Sequence, residues 1–271
     1  MILGIHGSVR EGISQALGEA ESLQVRSLQL LPYRRHHFPS TEELSLFRNR
    51  RAKSSVRFLI VHSRFVPSLA SSDEVRRARS VELLARELSL AEGLGAETYI
   101  LHAGAYSEGG TAERGGNLAA ESITKAVGLT NYKGMILIEN VPGGGRRLGG
   151  SLEEIAGLRD ALRVAKSGVC IDTAHAFAAG YDMSSAEGVF KFLARAHRLF
   201  GAGLRAFHLN DTRALIGSRR EDHAHWGEGR LGREGIKALL DRSEYAETPA
   251  IVETPKTPGG DRRNLDYLAA L

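Results

Sequence analysis

The chain has 271 residues, with 36 Lys and Arg against 32 Asp and Glu, 42% hydrophobic and 25% charged. This length and balance fit one α/β domain, and they exclude collagen-like, low-complexity and mainly disordered classes. Its single cysteine, Cys170, excludes an intramolecular disulfide and points to a reducing compartment.

Short apolar runs bounded by polar residues or glycine predict strands at Ile2–Ile5, Val25–Leu31, Phe58–Val61, Thr98–Leu101, Met135–Ile138, Val169–Ile171, Leu204–Leu209 and Ala250–Val252. Helical spacing lies between them. Val75 to Glu92 is the clearest case, with Val75, Ala78, Leu83, Leu84, Leu88 and Ala91 on one face and Ser72-Asp73 as its cap. Asn117 to Val127, Ser151 to Ala165, Ser184 to Leu199 and Arg233 to Leu240 read the same way, and Ser151 with Glu154 fits a capping box. Eight strands alternating with helices over residues 1–271 predict a single (β/α)8 TIM-barrel domain. No GxGxxG turn follows the first strand, which argues against a dinucleotide-binding sheet. No apolar run reaches the roughly 20 residues of a membrane span. No basic segment precedes an apolar one at the N-terminus, so a cytoplasmic protein with no membrane partner is expected.

In such barrels the chemistry lies at the C-terminal strand ends. Those ends read Val61-His62, Leu101-His102, Ile138-Glu139, Ile171-Asp172, Phe207-His208 and Val252-Glu253. With 10 His and 32 Asp and Glu in 271 residues, six successive ends of this type are not a chance outcome. Imidazoles and carboxylates converging on one mouth need cations to neutralise them. The mixed N/O set suits Zn²⁺, and less selectively Mn²⁺ or Fe²⁺. His175 follows Asp172 by one helical turn, and the loop after the seventh strand adds Glu221, Asp222, His223 and His225. In an extended loop Glu221 and His223 point to one side and Asp222 to the other. The set is large enough for two or three metal ions.

These motifs resemble endonuclease IV, the zinc-dependent apurinic/apyrimidinic DNA endonuclease family. The most specific stretches are Cys170-Ile-Asp-Thr-Ala-His175 through Asp182, and Phe207-His-Leu-Asn-Asp211 followed by Gly217-Ser-Arg219. Leu101-His102-Ala-Gly104 and Glu139-Asn140 add to them, and the similarity runs from Gly4-Ile-His-Gly7 to Glu253-Thr-Pro255. It implies a DNA-repair hydrolase that cuts the phosphodiester 5′ to abasic sites in double-stranded DNA and leaves a 3′-OH. It also implies three zinc ions per chain, with Mn²⁺ possible at one site. The first would take His62, His102 and Glu139. The second would share Glu139, the catalytic carboxylate, and take Asp172, His208 and Glu253. The third would take His175, Glu221 and His223. Glu221 stands where the family usually has Asp, and Asp222 is the alternative ligand.

The DNA-facing loops depart further from the family. Phe65 replaces a Tyr, Pro32-Tyr-Arg-Arg-His-His-Phe38 follows strand two, and Val141-Pro-Gly-Gly-Gly145 replaces a Gln-bearing turn. An abasic gap needs an apolar wedge and cations along the bent backbone. Phe65 with Val66 supplies the wedge. Arg34, Arg35, Arg64, Arg146, Arg219 and Arg220 supply cations, unless they are plain solvated surface. Trp226 is read as a loop anchor in preference to a stacking residue. A monomer is expected. Two other functions stay open: a metal-dependent sugar isomerase or epimerase of the xylose-isomerase-like barrels, and a catalytically weak DNA-end binder.

Overall fold

In the computed structural model, residues 1–35, 37–64 and 68–271 are described. Phe65 and Val66, the expected wedge, lie outside them. Eight parallel strands close in chain order: β1 (Ile2–His6), β2 (Ser27–Leu30), β3 (Phe58–His62), β4 (Thr98–Leu101), β5 (Met135–Glu139), β6 (Ser167–Asp172), β7 (Leu204–His208) and β8 (Pro249–Val252). The ring closes where Ile2–Ile5 pairs with Pro249–Val252. The expected (β/α)8 barrel is the observed architecture.

Around it run α1 (Ile13–Leu23), α2 (Thr41–Arg51), α3 (Glu74–Leu94), α4 (Ala112–Gly128), α5 (Leu152–Ala161), α6 (Thr173–Ala179), α7 (Ala186–Phe200), α8 (Gly232–Leu240) and α9 (Gly260–Ala269). Asp73 caps α3 by accepting from Arg76 N at 3.0 Å. Only half of the expected capping box forms at α5. Ser151 Oγ accepts from Glu154 N at 3.2 Å, but the Glu154 carboxylate turns back to the amides of Gly149 and Gly150. Those two amides take the acceptor that a full box would have given to the Ser151 amide.

Two apolar layers follow from the strand pleat. Ile5, Leu28, Leu59, Val61, Ile138, Ile171, Phe207 and Val252 face outward and pack under the helices. Ile60, Ile100, Leu137, Cys170, Ala206 and Ile251 form a separate cluster on the barrel axis. Each expected strand-end ligand follows a member of this axial cluster by two positions. Period-two alternation therefore turns both to the axis, with the apolar residue below and the polar one at the mouth. Cys170 is one of the buried plugs, and burial pushes its thiol up to about 12.

Candidate metal centre

Glu139 lies at the middle of the mouth and is 1% exposed. Its Oε2 is 2.8 Å from His62 Nε2 and 2.9 Å from His102 Nε2. Its Oε1 is 2.9 Å from His208 Nδ1 and 3.5 Å from His175 Nδ1. His208 Nδ1 is also 3.0 Å from Glu253 Oε2. Among the described residues, three groups have potential ligand atoms that all lie within 4.8 Å of one another. They are His62, His102 and Glu139; Glu139, Asp172, His208 and Glu253; and Asp172, His175 and His223.

Hydrogen bonds fix which imidazole nitrogens carry protons. A carbonyl only accepts, so a ring nitrogen that meets one must donate. His62 Nδ1 donates to Ser63 O at 2.8 Å, His175 Nδ1 to Asn140 O at 2.9 Å and His223 Nδ1 to Glu253 O at 3.2 Å. His208 Nε2 donates to Gln29 Oε1 at 2.8 Å. The Gln29 amide nitrogen donates to His6 Nδ1 and to Glu253, which sets its orientation. The neutral rings thus aim bare lone pairs inward, at carboxylate oxygens or at each other. His175 Nε2 and His223 Nε2 face across 3.3 Å. Lone pair against lone pair is repulsive without a proton or cation between, so this donor set fits divalent metal ions.

Without metal, protons take that role. Burial lowers the imidazole pKa of His175, but Asp172, Glu139 and Glu221 outweigh it and raise the group from 6.5 to about 10. Burial favours the neutral form of Glu139, yet His208 and His102 hold its carboxyl well below the usual carboxylate range. The sign for stability follows. A folded-state pKa above the unfolded value gives stability that is full below about 6.5 and is lost as pH rises through about 10. The melting temperature of chelator-treated protein is expected to fall across that window. Metal affinity should move the other way, because ligation needs the deprotonated rings. Thermal scans at several pH values, with and without chelator, check both trends.

Supporting residues are less visible in sequence. Asp172 caps α6, accepting from His175 N at 2.7 Å, and its other oxygen takes Asn210 Nδ2 at 2.6 Å. Asn140 pairs with the Asp172 backbone in both directions, and Asn210 Oδ1 accepts from Glu253 N at 2.8 Å. Asp211 accepts from Gly227, Gly229 and Leu231, bracing the loop that carries Glu221 and His223. His225 belongs to that brace, against Asn264 and Thr257, away from the donor groups. Trp226 is the expected anchor, buried with Nε1 donating to Leu209 O.

A 290 Å³ cavity over the donor groups includes His6, Glu221, Thr254 and Lys256 in its wall. Glu221 lies on this wall but outside the three close groups. Asp222 turns instead to Arg213, 3.8 Å away.

A profile described as the xylose isomerase-like TIM barrel matches residues 17–271. A probable endonuclease 4 of Solibacter usitatus is 35% identical over 281 residues, covering 100% of this chain and 97% of that protein. The chain belongs to the endonuclease IV family. The structure of endonuclease IV from Thermus thermophilus has a TM-score of 0.86 and 30% identity, covering 100% of this chain and 98% of that one. A D-tagatose 3-epimerase-like protein reaches a TM-score of 0.80 over 100% of this chain and 96% of its own, but its 19% identity shows the fold alone.

In this endonuclease IV family member the expected arginines fall into three settings. Arg34, Arg35 and Arg64 line a 550 Å³ cavity together with Arg10, His6 and Lys256, and the last two also wall the metal cavity. Arg64 is held by its amide on the buried carboxylate of Glu87 at 3.1 Å, which also takes Tyr99 Oη at 2.6 Å. Its guanidinium donates to Tyr33 O at 3.0 Å. Arg219 serves loop structure instead. Its guanidinium donates to Pro142 O, and its own carbonyl accepts from Arg147. Arg146 is exposed, 3.9 Å from Glu108, and Arg220 is exposed.

Proposed function

We propose that the chain is a zinc-dependent DNA-repair endonuclease that hydrolyses the phosphodiester 5′ to abasic sites in double-stranded DNA and leaves a 3′-OH. The observation that carries the reading is the ring of inward lone pairs around Glu139, which supplies three overlapping ligand groups at one mouth. A sugar isomerase needs only one or two metals and leaves His175 and His223 without a task. His62, His102 and Glu139 would hold the first ion. Glu139, Asp172, His208 and Glu253 would hold the second, and His175 and His223 with Asp172 and Glu221 the third; Mn²⁺ is an alternative at one of them. Bound divalent ions lower the pKa of water and neutralise charge on the attacking and leaving oxygens of a phosphate.

The protein's own contribution is position and charge. Glu139 holds its neighbours at one spacing. His6 and Lys256 face the same cavity from the rim. The cluster of Arg10, Arg34, Arg35 and Arg64 neutralises the DNA backbone on the β1–β3 side. Protein purified without chelator should carry about three zinc ions by mass spectrometry. It should cut a duplex bearing one abasic site and leave an end that a polymerase extends. One divalent ion per chain and an intact duplex would overturn this reading in favour of the isomerase.

Gln29 gives a test away from the ligands themselves. It accepts the His208 proton and so commits that ring to one tautomer. Gln29→Leu leaves the proton unpartnered in a buried site. The expected result is metal affinity about 10–100-fold weaker, with unchanged circular dichroism. Competition with a chelator measures it.

A further inference from the structure

Among the described residues, Leu46, Val75, Leu129, Phe190, Leu215 and Ile216 stand exposed as large hydrophobics. The first four are single residues on or next to outer helices, which is ordinary for a protein surface. Leu215 and Ile216 are adjacent, 60% and 50% exposed, and lie on the loop after β7 at the mouth of the barrel. That loop is fixed. Gly217 N donates to Phe177 O at 3.1 Å and Arg219 N to Ala178 O at 2.9 Å, so it hangs on the last turn of α6, the helix of His175. Ser218 N donates to Leu215 O at 3.1 Å and closes the tip. Gly217 has φ of 71°, a conformation other residues rarely adopt, and this lets the chain turn there. The pair is therefore held out in water by a rigid support.

We propose that Leu215 and Ile216 form an apolar wedge that enters the base stack of duplex DNA beside the lesion. This rests on the function proposed above. Arg220 follows the tip and is exposed, and Arg219 beside it is exposed although its guanidinium also binds Pro142 O, so an apolar point is followed by positive charge. A nucleic-acid duplex has the complementary arrangement, an apolar stack between anionic strands. A second copy of this chain would bring like charges together. An abasic site lacks one stacking partner, so opening the stack there costs least, and a wedge carried on a fixed loop loses little entropy on entry.

The test is the double variant Leu215→Ala/Ile216→Ala, with Leu215→Phe/Ile216→Phe as the restoring control. The readouts are affinity for an abasic duplex and for the same duplex intact, fluorescence of 2-aminopurine opposite the lesion, and zinc content. The double Ala variant should lose about tenfold or more in affinity for the abasic duplex. It should also lose the fluorescence rise, while zinc content stays equal to the parent's and the Phe pair restores both signals. Equal affinity and fluorescence in a system where the parent protein cuts would overturn the wedge and leave the endonuclease reading intact. Self-association of the parent that the Ala pair abolishes would also overturn it, assigning the pair to a second copy. A parent protein that neither binds nor cuts the abasic duplex removes the endonuclease reading, and the wedge with it.

Discussion

Glu139→Gln is expected to reduce strand cleavage by roughly 10³-fold or more and to lower bound zinc from about three ions to about one per chain. The substitution keeps shape and volume, so folding is a minor concern. What it removes is charge at the point where two ligand groups overlap, since one oxygen faces His62 and His102 and the other faces His208 and His175. An amide N–H there would also donate into the bare lone pair of His62 or His208, occupying a nitrogen that would otherwise hold metal. Glu139→Ala should have the same outcome with a larger loss of stability, because a side chain this deeply buried leaves a void among imidazoles. Full metal content with normal cleavage in either variant would remove Glu139 from its shared position.

The second large effect separates two adjacent carboxylates. Glu221→Ala should lose about one metal ion and slow cleavage about 100-fold or more, while Asp222→Ala should change the rate less than about twofold. Glu221 lies on the cavity wall near His175, whose imidazole it helps to hold protonated in the metal-free protein. Asp222 is directed to the Arg213 guanidinium. Alternation along the extended loop gives this split, with His223 on the same side as Glu221. Asp172 is the carboxylate that completes the close group with these two histidines. Loss of metal in Asp222→Ala and not in Glu221→Ala would reverse the assignment.

The barrel and six of its mouth residues are legible in the sequence because one rule sets both. Each of β3 to β8 places an apolar residue on the axis and a His, Asp or Glu two positions later, as in Ile60 and His62 or Leu137 and Glu139. The alternation alone, with Gly4 and Ser27 in place of the apolar residue, brings His6 and Gln29 of β1 and β2 to the same mouth, and no motif in the sequence marks them. The apolar run of β1 ends at Ile5, and a glutamine is not an ordinary metal ligand. Helices α1, α2, α6 and α9 also escape that reading. In α2 the described burial is confined to Phe47, so no apolar stripe marks it, and α6 is seven residues buried on every side. The second role of Arg219, joining its loop to the turn at 141–145, depends on two segments far apart in the chain, and no local pattern announces it.

The proton anchors of His62, His175 and His223 are main-chain carbonyls of Ser63, Asn140 and Glu253. A point mutation can delete a side chain but not a peptide oxygen. The tautomers of these three rings are thereby insulated from side-chain changes at the residues that anchor them. Substitution at positions 63 and 140 can therefore reshape the rim without changing which ring nitrogen of His62 or His175 turns to the mouth.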